Sequence, residues 1–303
     1  MPIVLAAPAS TSGAGSSAFS PRAMTWTGWD GSLWPLVGST ARNPRMAPGV
    51  QGLHMPPMVI HKSSSPLVAG EDLLGYSLPA RPVYWPMLFR AASAAQWEED
   101  HGAFFDSFHP IIPGTWTVGI GDKARSLPLT GVFDGSYSFE RDPFVTGRAL
   151  IGVELSAPRP LWRGKRISRP FYAAEGVDFI DADGAPTFHV SGAATFQEAR
   201  IPNPGDEPAY LVWTAVGPLE NVQLGVGDAV IDVPFPIADG EVLQIDTDPA
   251  GLFATLDGAD VTRDLGFQMF APVPARGETR LVIIAAGAGA VTAELVPLYW
   301  RAF

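Results

Sequence analysis

The chain has 303 residues, 47% of them hydrophobic and 17% charged, with 32 glycines, 30 prolines and no cysteine. That composition is too apolar for a disordered chain, and no apolar run reaches the ~20 residues that a membrane-spanning helix needs. Without cysteine, disulfides and thiolate metal sites are excluded. The five histidines, His54, His61, His101, His109 and His189, are dispersed and make no H-x-x-x-H zinc pair.

The net charge of -11 is unevenly spread. Residues 1–169 carry 15 Lys/Arg against 12 Asp/Glu, and residues 170–303 carry 5 against 19, so the halves stand at +3 and -14. Such asymmetry points to two domains, with the boundary near 165–171. Phosphate repulsion argues against nucleic-acid binding by the acidic half. Glycine and proline without a fixed period favour many short strands and turns.

In chain order, "MPIVLAAPASTSGAGSSAFSPRA" has too short an apolar run, and no basic region before it, for a signal peptide. It reads as a Ser/Gly/Ala-rich arm, residues 1–23, on a chain synthesised as a soluble intracellular protein. "MTWTGWDGSLWPLV" (24–37) alternates like a hairpin turning at Asp30-Gly31, and residues 38–57 read as a loop. "PMVIHKS" and "RPVYWPMLFRA" read as strands separated by a polar loop around "AGEDLLGYS".

One helix is expected, over "SAAQWEEDHGAFFDSFHP" (93–110). Ser93 is placed to cap it, with Gln96 reaching back, and Pro110 to stop it. Trp97, His101, Phe104, Phe105 and Phe108 form one apolar stripe, which needs a sheet to lie against. "GTWTVGIGDKARSLPLTGVF" (114–133) reads as a hairpin and "TGRALIGVELSAPRPLW" (146–162) as a long strand. The basic stretch Arg159–Arg169 reads as a solvated linker. Beyond it no helix is expected, and eleven short segments read as strands of an antiparallel β-sandwich: "GVDFIDA", "PTFHVSG", "ATFQEARI", "AYLVWTAVG", "VQLGVG", "AVIDVPF", "EVLQIDT", "LFATLDG", "LGFQMFAPV", "TRLVIIAAGAG" and "VTAELVPLYWRAF". Within them "NPGDEPAYLVWTAVGPLENVQLGVG" (203–227) is strand, corner and strand. The fold class is mainly β.

The candidate chemistry is thin. Asp178, Asp181 and Asp183 in "DFIDADG" lack the spacing and distal Glu of a calcium loop. "GVGD" (225–228) is followed by no helix, so it is no dinucleotide fingerprint. Asp246 and Asp248 share a strand face, but a strand-end turn before Pro249 accounts for them better than glycoside hydrolysis does. No G-x-S-x-G stretch occurs. Trp85, Trp97, Trp116, Trp162, Trp213 and Trp300 could stack on sugars, with core packing the commoner outcome. No catalytic, cofactor or metal residues are assigned, no cofactor is expected, and the chain reads as a non-enzyme.

The order of three groups of segments carries a resemblance. They are "WTGWDGSLWPL" with "GVQGLHMPP"; "RPVYWPMLFRA", the helix, "GTWTVGI" and "ELSAPRPLWRG"; and "NPGDEPAYLVWTAVGP", "GEVLQIDTDPAGLFATLDGADVTRDLGFQMFAPVP" and "PLYWRAF". In this order the chain resembles the distal tail proteins (minor tail proteins) of long non-contractile-tailed bacteriophages, most of all those of actinobacterial hosts, over Trp26 to Phe303. The resemblance implies a tail-tube-like β-sandwich with one packed α-helix over 24–168, closing as a hexameric ring, and a galectin-like β-sandwich over 169–303. It implies a virion location at the distal end of the tail, after assembly in the host cytoplasm, where a chain without cysteine is at home. The implied partners are further copies of the chain, the major tail tube protein, the tape measure protein, and the tail-tip hub with its receptor-binding proteins. DNA would pass through the lumen without specific binding, and no membrane is involved. The resemblance assigns no role to the N-terminal arm or to loop 38–57. Two competing readings are a virion-attached carbohydrate-binding module gripping host cell-wall glycan through the C-terminal sandwich, and a glycan hydrolase. Residues 170–303 are expected to fold alone.

Overall fold

The structure, a computed structural model, describes residues 22–38, 43–132, 141–172 and 196–303. It is mainly β, with two hydrophobic cores and antiparallel sheets around each.

The first half contains β1 (Met24–Thr27), β2 (Leu33–Val37), β3 (Arg45–Met46), β4 (Val59–Ser65), β5 (Val68–Ser77), β6 (Arg81–Arg90), α1 (Ala94–Asp106), β7 (Gly114–Val118), β8 (Arg125–Gly131), α2 (Pro143–Thr146), β9 (Arg148–Ala157) and β10 (Trp162–Arg163), and all of these except β4, β5 and α2 contribute to the first core. The sheet runs in the order β2-β1-β7-β8-β9-β6-β3. β8 joins its two halves: Arg125 to Leu129 pair with β7, then Thr130 and Gly131 pair with β9. Alternation puts Val83, Trp85, Met87 and Phe89 of β6 inward, where all four are buried. β1 and β2 form the expected hairpin, with Trp26 opposite Trp34 and Asp30 Oδ1 accepting from the Ser32 amide at 3.0 Å across the turn.

α1 lies on this sheet because its stripe is aromatic. Trp97 and Phe104 are buried, and both pack on Phe89, with ring centres 5.5 and 5.6 Å away. Ser93 caps the helix as expected, its hydroxyl accepting from the Gln96 amide at 3.2 Å. Gln96 reaches back one residue further than the expected box, accepting from the Ala92 amide at 3.1 Å. The helix ends at Asp106, ahead of Pro110, where Ser107 turns its hydroxyl onto the Phe104 carbonyl and accepts from the Trp26 indole.

Besides α2, a one-turn helix capped by Asp142 where a single helix was expected for this half, two segments depart from the sequence reading. "AGEDLLGYS" is no loop: it is β5, paired with β4 from Val59–Ser77 to Ser65–Val68. Together they make a two-stranded arm, whose register breaks between His61 and Lys62 and again between Ser63 and Ser65. Apolar residues do not alternate in it, because neither face is covered among the described residues, so the period-2 signal of a half-buried strand is missing. The second departure is in loop 38–57. Its described part is pinned to the sheet by β3 against Leu88 and Met87, and by a Gln51–Tyr84 bridge.

The second core lies between two further sheets. One has the order β11 (Ile167–Tyr172), β20 (Ala290–Leu295), β13 (Leu211–Val216), β16 (Val242–Asp246), β17 (Phe253–Leu256), β18 (Ala259–Asp260). The other has the order β12 (Arg200–Asn203), β19 (Gly277–Ala286), β14 (Glu220–Val226), β15 (Ala229–Asp232). Trp213, Ile245 and Leu295 of the first sheet meet Leu224, Ile231 and Leu281 of the second in one buried cluster. Residues 203–227 are the strand, corner and strand expected of them. β13 belongs to one sheet and β14 to the other, so the corner at Gly217-Pro218 carries the chain across the sandwich.

"WRGKRISRPF" is mostly strand, and only residues 164–166 are left to link the two sandwiches. Arg163 pairs with Ser126 in β8, and Ile167 to Tyr172 pair along the whole of β20. "LGFQMFAPV" is not a strand: Gln268 holds it as a loop, accepting from the Asp232 amide and donating to the Asp232 and Leu265 carbonyls. "GVDFIDA" and "PTFHVSG", with Asp178, Asp181, Asp183 and His189, lie outside the described residues. Finally β21 (Leu298–Tyr299) leaves the second sandwich and pairs with Trp162 and Arg163 of β10, which places Ala302 inside the first core.

Candidate functional site

The residues singled out for chemistry are taken up by packing and turns. Trp85, Trp97, Trp116, Trp162 and Trp213 are buried in the two cores, which removes them as a sugar platform. Trp116 packs with Trp85 and Trp162 at 5.2 and 5.0 Å between ring centres. Asp246 accepts from the Asp248 amide at 2.9 Å, the strand-end turn expected of the pair, and Asp248 is held by Arg159 at 3.1 Å. "GVGD" is the β14–β15 turn, where Gly227 adopts φ +60. Among the described residues no group of three or more His, Asp or Glu is placed to hold a metal ion, and no helix is long and apolar enough to cross a membrane.

What the fold does build is a seam between the two cores, organised by Arg81 at the start of β6. This residue is 1% exposed, and its guanidinium donates to four backbone carbonyls: Pro160 at 2.7 Å, Gly52 at 2.7 Å, His54 at 2.6 Å and Trp300 at 2.7 Å. Burial pushes its pKa down to about 10, still far above neutrality, so the group stays charged at pH 7. One rigid fork therefore ties the 52–54 loop, the β9–β10 connection and the end of the chain together.

The chain end is clasped from the other side as well. Asp206 accepts from the Trp300 amide at 3.1 Å and from Arg276 at 2.9 Å. Glu207 accepts from the Trp300 indole at 2.7 Å and from the Tyr76 hydroxyl at 2.6 Å. The Glu207 contact raises the pKa of Tyr76 and fastens the root of the β4–β5 arm to the second sandwich. Arg125 stacks 3.5 Å over Tyr299 and donates to the Arg301 carbonyl, and the Ala302 amide donates to Leu53.

Away from the seam the arm presents an open apolar surface. Val59, Ile60, Leu73, Leu74 and Tyr76 are all exposed, Leu73 to 73%, and Leu67 near the tip to 95%. Isolated two-stranded hairpins are marginal in water, and contiguous exposed apolar surface is a mark of association. The arm was not visible to sequence reasoning as such. The available signal was a pair of segments with β-compatible apolar residues, "MVIHK" and "LLGYS", on either side of "SSSP".

No protein-family model matches the chain, and no curated protein matches it in sequence. Among solved structures it is similar to the Dit (gp 19.1) protein of phage SPP1, presented as a paradigm of the hub adsorption apparatus in phages infecting Gram-positive hosts. The TM-score is 0.63 at 12% identity, over 90% of this chain and 98% of that one. Two structures of the phage P2 baseplate in its activated conformation, with Ca and with Sr, align at TM-scores of 0.48 and 0.46 and identities of 10% and 11%, each over 91% of this chain and 98% of that chain. At 12% identity the likeness to SPP1 Dit is one of fold, and it extends over both cores of this protein.

Proposed function

We propose that the protein is a structural component of a phage tail tip, in which six copies of the first domain close a ring that joins the tail tube to the tip hub. The second sandwich hangs outside the ring as a platform for receptor-binding components, and the virion belongs to a phage of an actinobacterial host. The observation that carries this reading is the extent of the likeness to SPP1 Dit, which takes in 98% of that chain. The seam supports it, because a platform must hold its two domains in a fixed relation. The exposed arm supports it too, since a heterologous ring needs an apolar surface offered to the next copy. Burial of Trp213 and Phe171 in the second core favours an adaptor over a glycan-stacking module.

The test is an electron-microscopy reconstruction of intact tails with this protein labelled. Closed six-fold density between tube and tip is expected, and density elsewhere in the virion, or none, overturns the proposal. Replacing both Leu73 and Leu74 with Asp is expected to leave the monomer folded and to abolish ring closure.

A further inference from the structure

A cleft of about 500 Å³ opens on the seam, between the β9–β10 connection, the start of β13, and the ends of β16 and β20. Its volume falls in the range of about 300–1,000 Å³ usual for small-molecule sites. Arg159, Arg163 and Arg166 line it, with Asp246, Asp248 and Glu294. These charges are not equivalent. Arg159 is bonded to Asp248 at 3.1 Å, and Arg166 to Glu294 at 2.6 Å. The Arg163 guanidinium has no hydrogen bond and no ion pair among the described residues. Burial lowers its pKa, Arg159 repels it, and Asp248 attracts it from beyond ion-pair distance.

Such a group is a cation held ready for an oxyanion, and a guanidinium fork suits a phosphate. The acidic wall selects what else the ligand carries. Asp246 and Glu294 each engage one carboxylate oxygen, Asp246 with the Asp248 amide and Glu294 with Arg166. The second oxygen of each makes no hydrogen bond among the described residues, and a carboxylate oxygen accepts only from a donor such as a hydroxyl. An acidic peptide would bring more carboxylates against these two, which disfavours it. Tyr210 and Leu298 also line the cleft.

We propose that this cleft is a binding site for a phosphorylated polyol or sugar, its phosphate on Arg163 and its hydroxyls on Asp246 and Glu294. The site needs both domains, since Arg159 and Arg163 come from one side of the seam and Asp246, Glu294 and Tyr210 from the other. It stands apart from the ring reading, because an isolated monomer already contains it.

The test is saturation-transfer NMR and calorimetry on the full chain, with glycerol 3-phosphate and glucose 1-phosphate as probes. Inorganic phosphate, glycerol, glucose and a glutamate-rich peptide are the comparisons. Saturable binding of the phosphorylated probes is expected, at least tenfold tighter than of phosphate or of the unphosphorylated parents, and weakened at least tenfold in Arg163→Met. Met keeps the apolar stem packed; if that variant fails to fold, Arg166→Gln on the exposed rim replaces it, with a smaller loss expected. Binding unchanged by either substitution, binding of inorganic phosphate as tight as of the sugar phosphates, preference for the acidic peptide, or no binding would each overturn the proposal.

Discussion

His101 lies on the inner side of α1, its ring centre 4.6 Å from Phe105, 5.6 Å from Phe89 and 5.7 Å from Trp97. Burial among these rings disfavours the imidazolium and lowers its pKa from 6.5. The unfolded chain therefore binds a proton more readily than the folded one. The stabilisation from burying a neutral ring is complete above about pH 6.5, and is lost as pH falls through that value and on through the folded pKa. The expected outcome is a melting temperature of the first domain that drops between about pH 7.5 and about pH 5. The drop should be smaller in His101→Phe, which keeps the ring contacts and removes the titration. Calorimetry at the two pH values checks it. Equal drops in both proteins would remove His101 as the cause. The sequence placed His101 on the stripe from its spacing alone, whereas Phe89, which it packs against, lies twelve residues back on another element.

At the scale of elements the corner between β13 and β14 is the most constrained feature. A Cβ on Gly217 would stand 1.9 Å from the Ala238 carbonyl oxygen and 2.5 Å from that of Ile237. Those carbonyls belong to a segment doubly bonded to Leu219, through Leu219 N to Ile237 O and Ile237 N to Leu219 O, both at 2.9 Å. It cannot withdraw without breaking that bridge. Gly217→Ala is expected to cost more than the ~1–3 kcal/mol of ordinary overpacking. Gly251→Ala, with nothing within 4 Å of the added carbon, should change stability by no more than about 0.5 kcal/mol. Urea midpoints of the two variants decide; a Gly217→Ala protein as stable as the parent would mean that the corner relaxes. The corner was legible as Gly-Pro between two apolar runs. That it joins two different sheets was not, because a turn signal is local and sheet membership depends on partners about 30 to 80 residues away.

For the whole molecule, the described residues carry the chain between its two cores twice, once between β10 and β11 and again between β20 and β21. The second crossing makes the last five residues part of the first domain: Ala302 is 0% exposed, and Trp300 supplies one of the four carbonyls on Arg81. Deleting residues 299–303 should leave Arg81 short of an acceptor and open Trp162 to water. The melting transition of the first domain is expected to fall by roughly 5 °C or more, since each lost kcal/mol moves a domain of this size by about 2–4 °C. The second transition should stay in place, because Leu298, which packs on the second core, is retained. Differential scanning calorimetry distinguishes this from a uniform loss, which would mean that the tail stabilises both domains alike. We propose that the second sandwich folds alone. A fragment beginning at residue 170 leaves behind Ile167 to Arg169 of β11, and a fragment covering 167–298 is the better one to express.

By itself the sequence determined the mainly β character, the amphipathic helix α1 with its Ser93 cap, and the inward-facing aromatics of the core strands. Each of these rests on a local period or a local turn rule, which a few neighbouring residues suffice to express. Tertiary structure alone decided the remainder. β5 looked like a loop because an arm exposed on both faces has no reason to alternate. Trp162, Arg163 and Ile167 to Arg169 looked like a linker because five basic residues from Arg159 to Arg169 mask two short strands. Arg81 looked like any charge at a strand start, and its four carbonyl partners come from segments 27 to 219 residues away in the chain. Contacts at that separation form only when both cores are packed, and no pattern within either segment announces them.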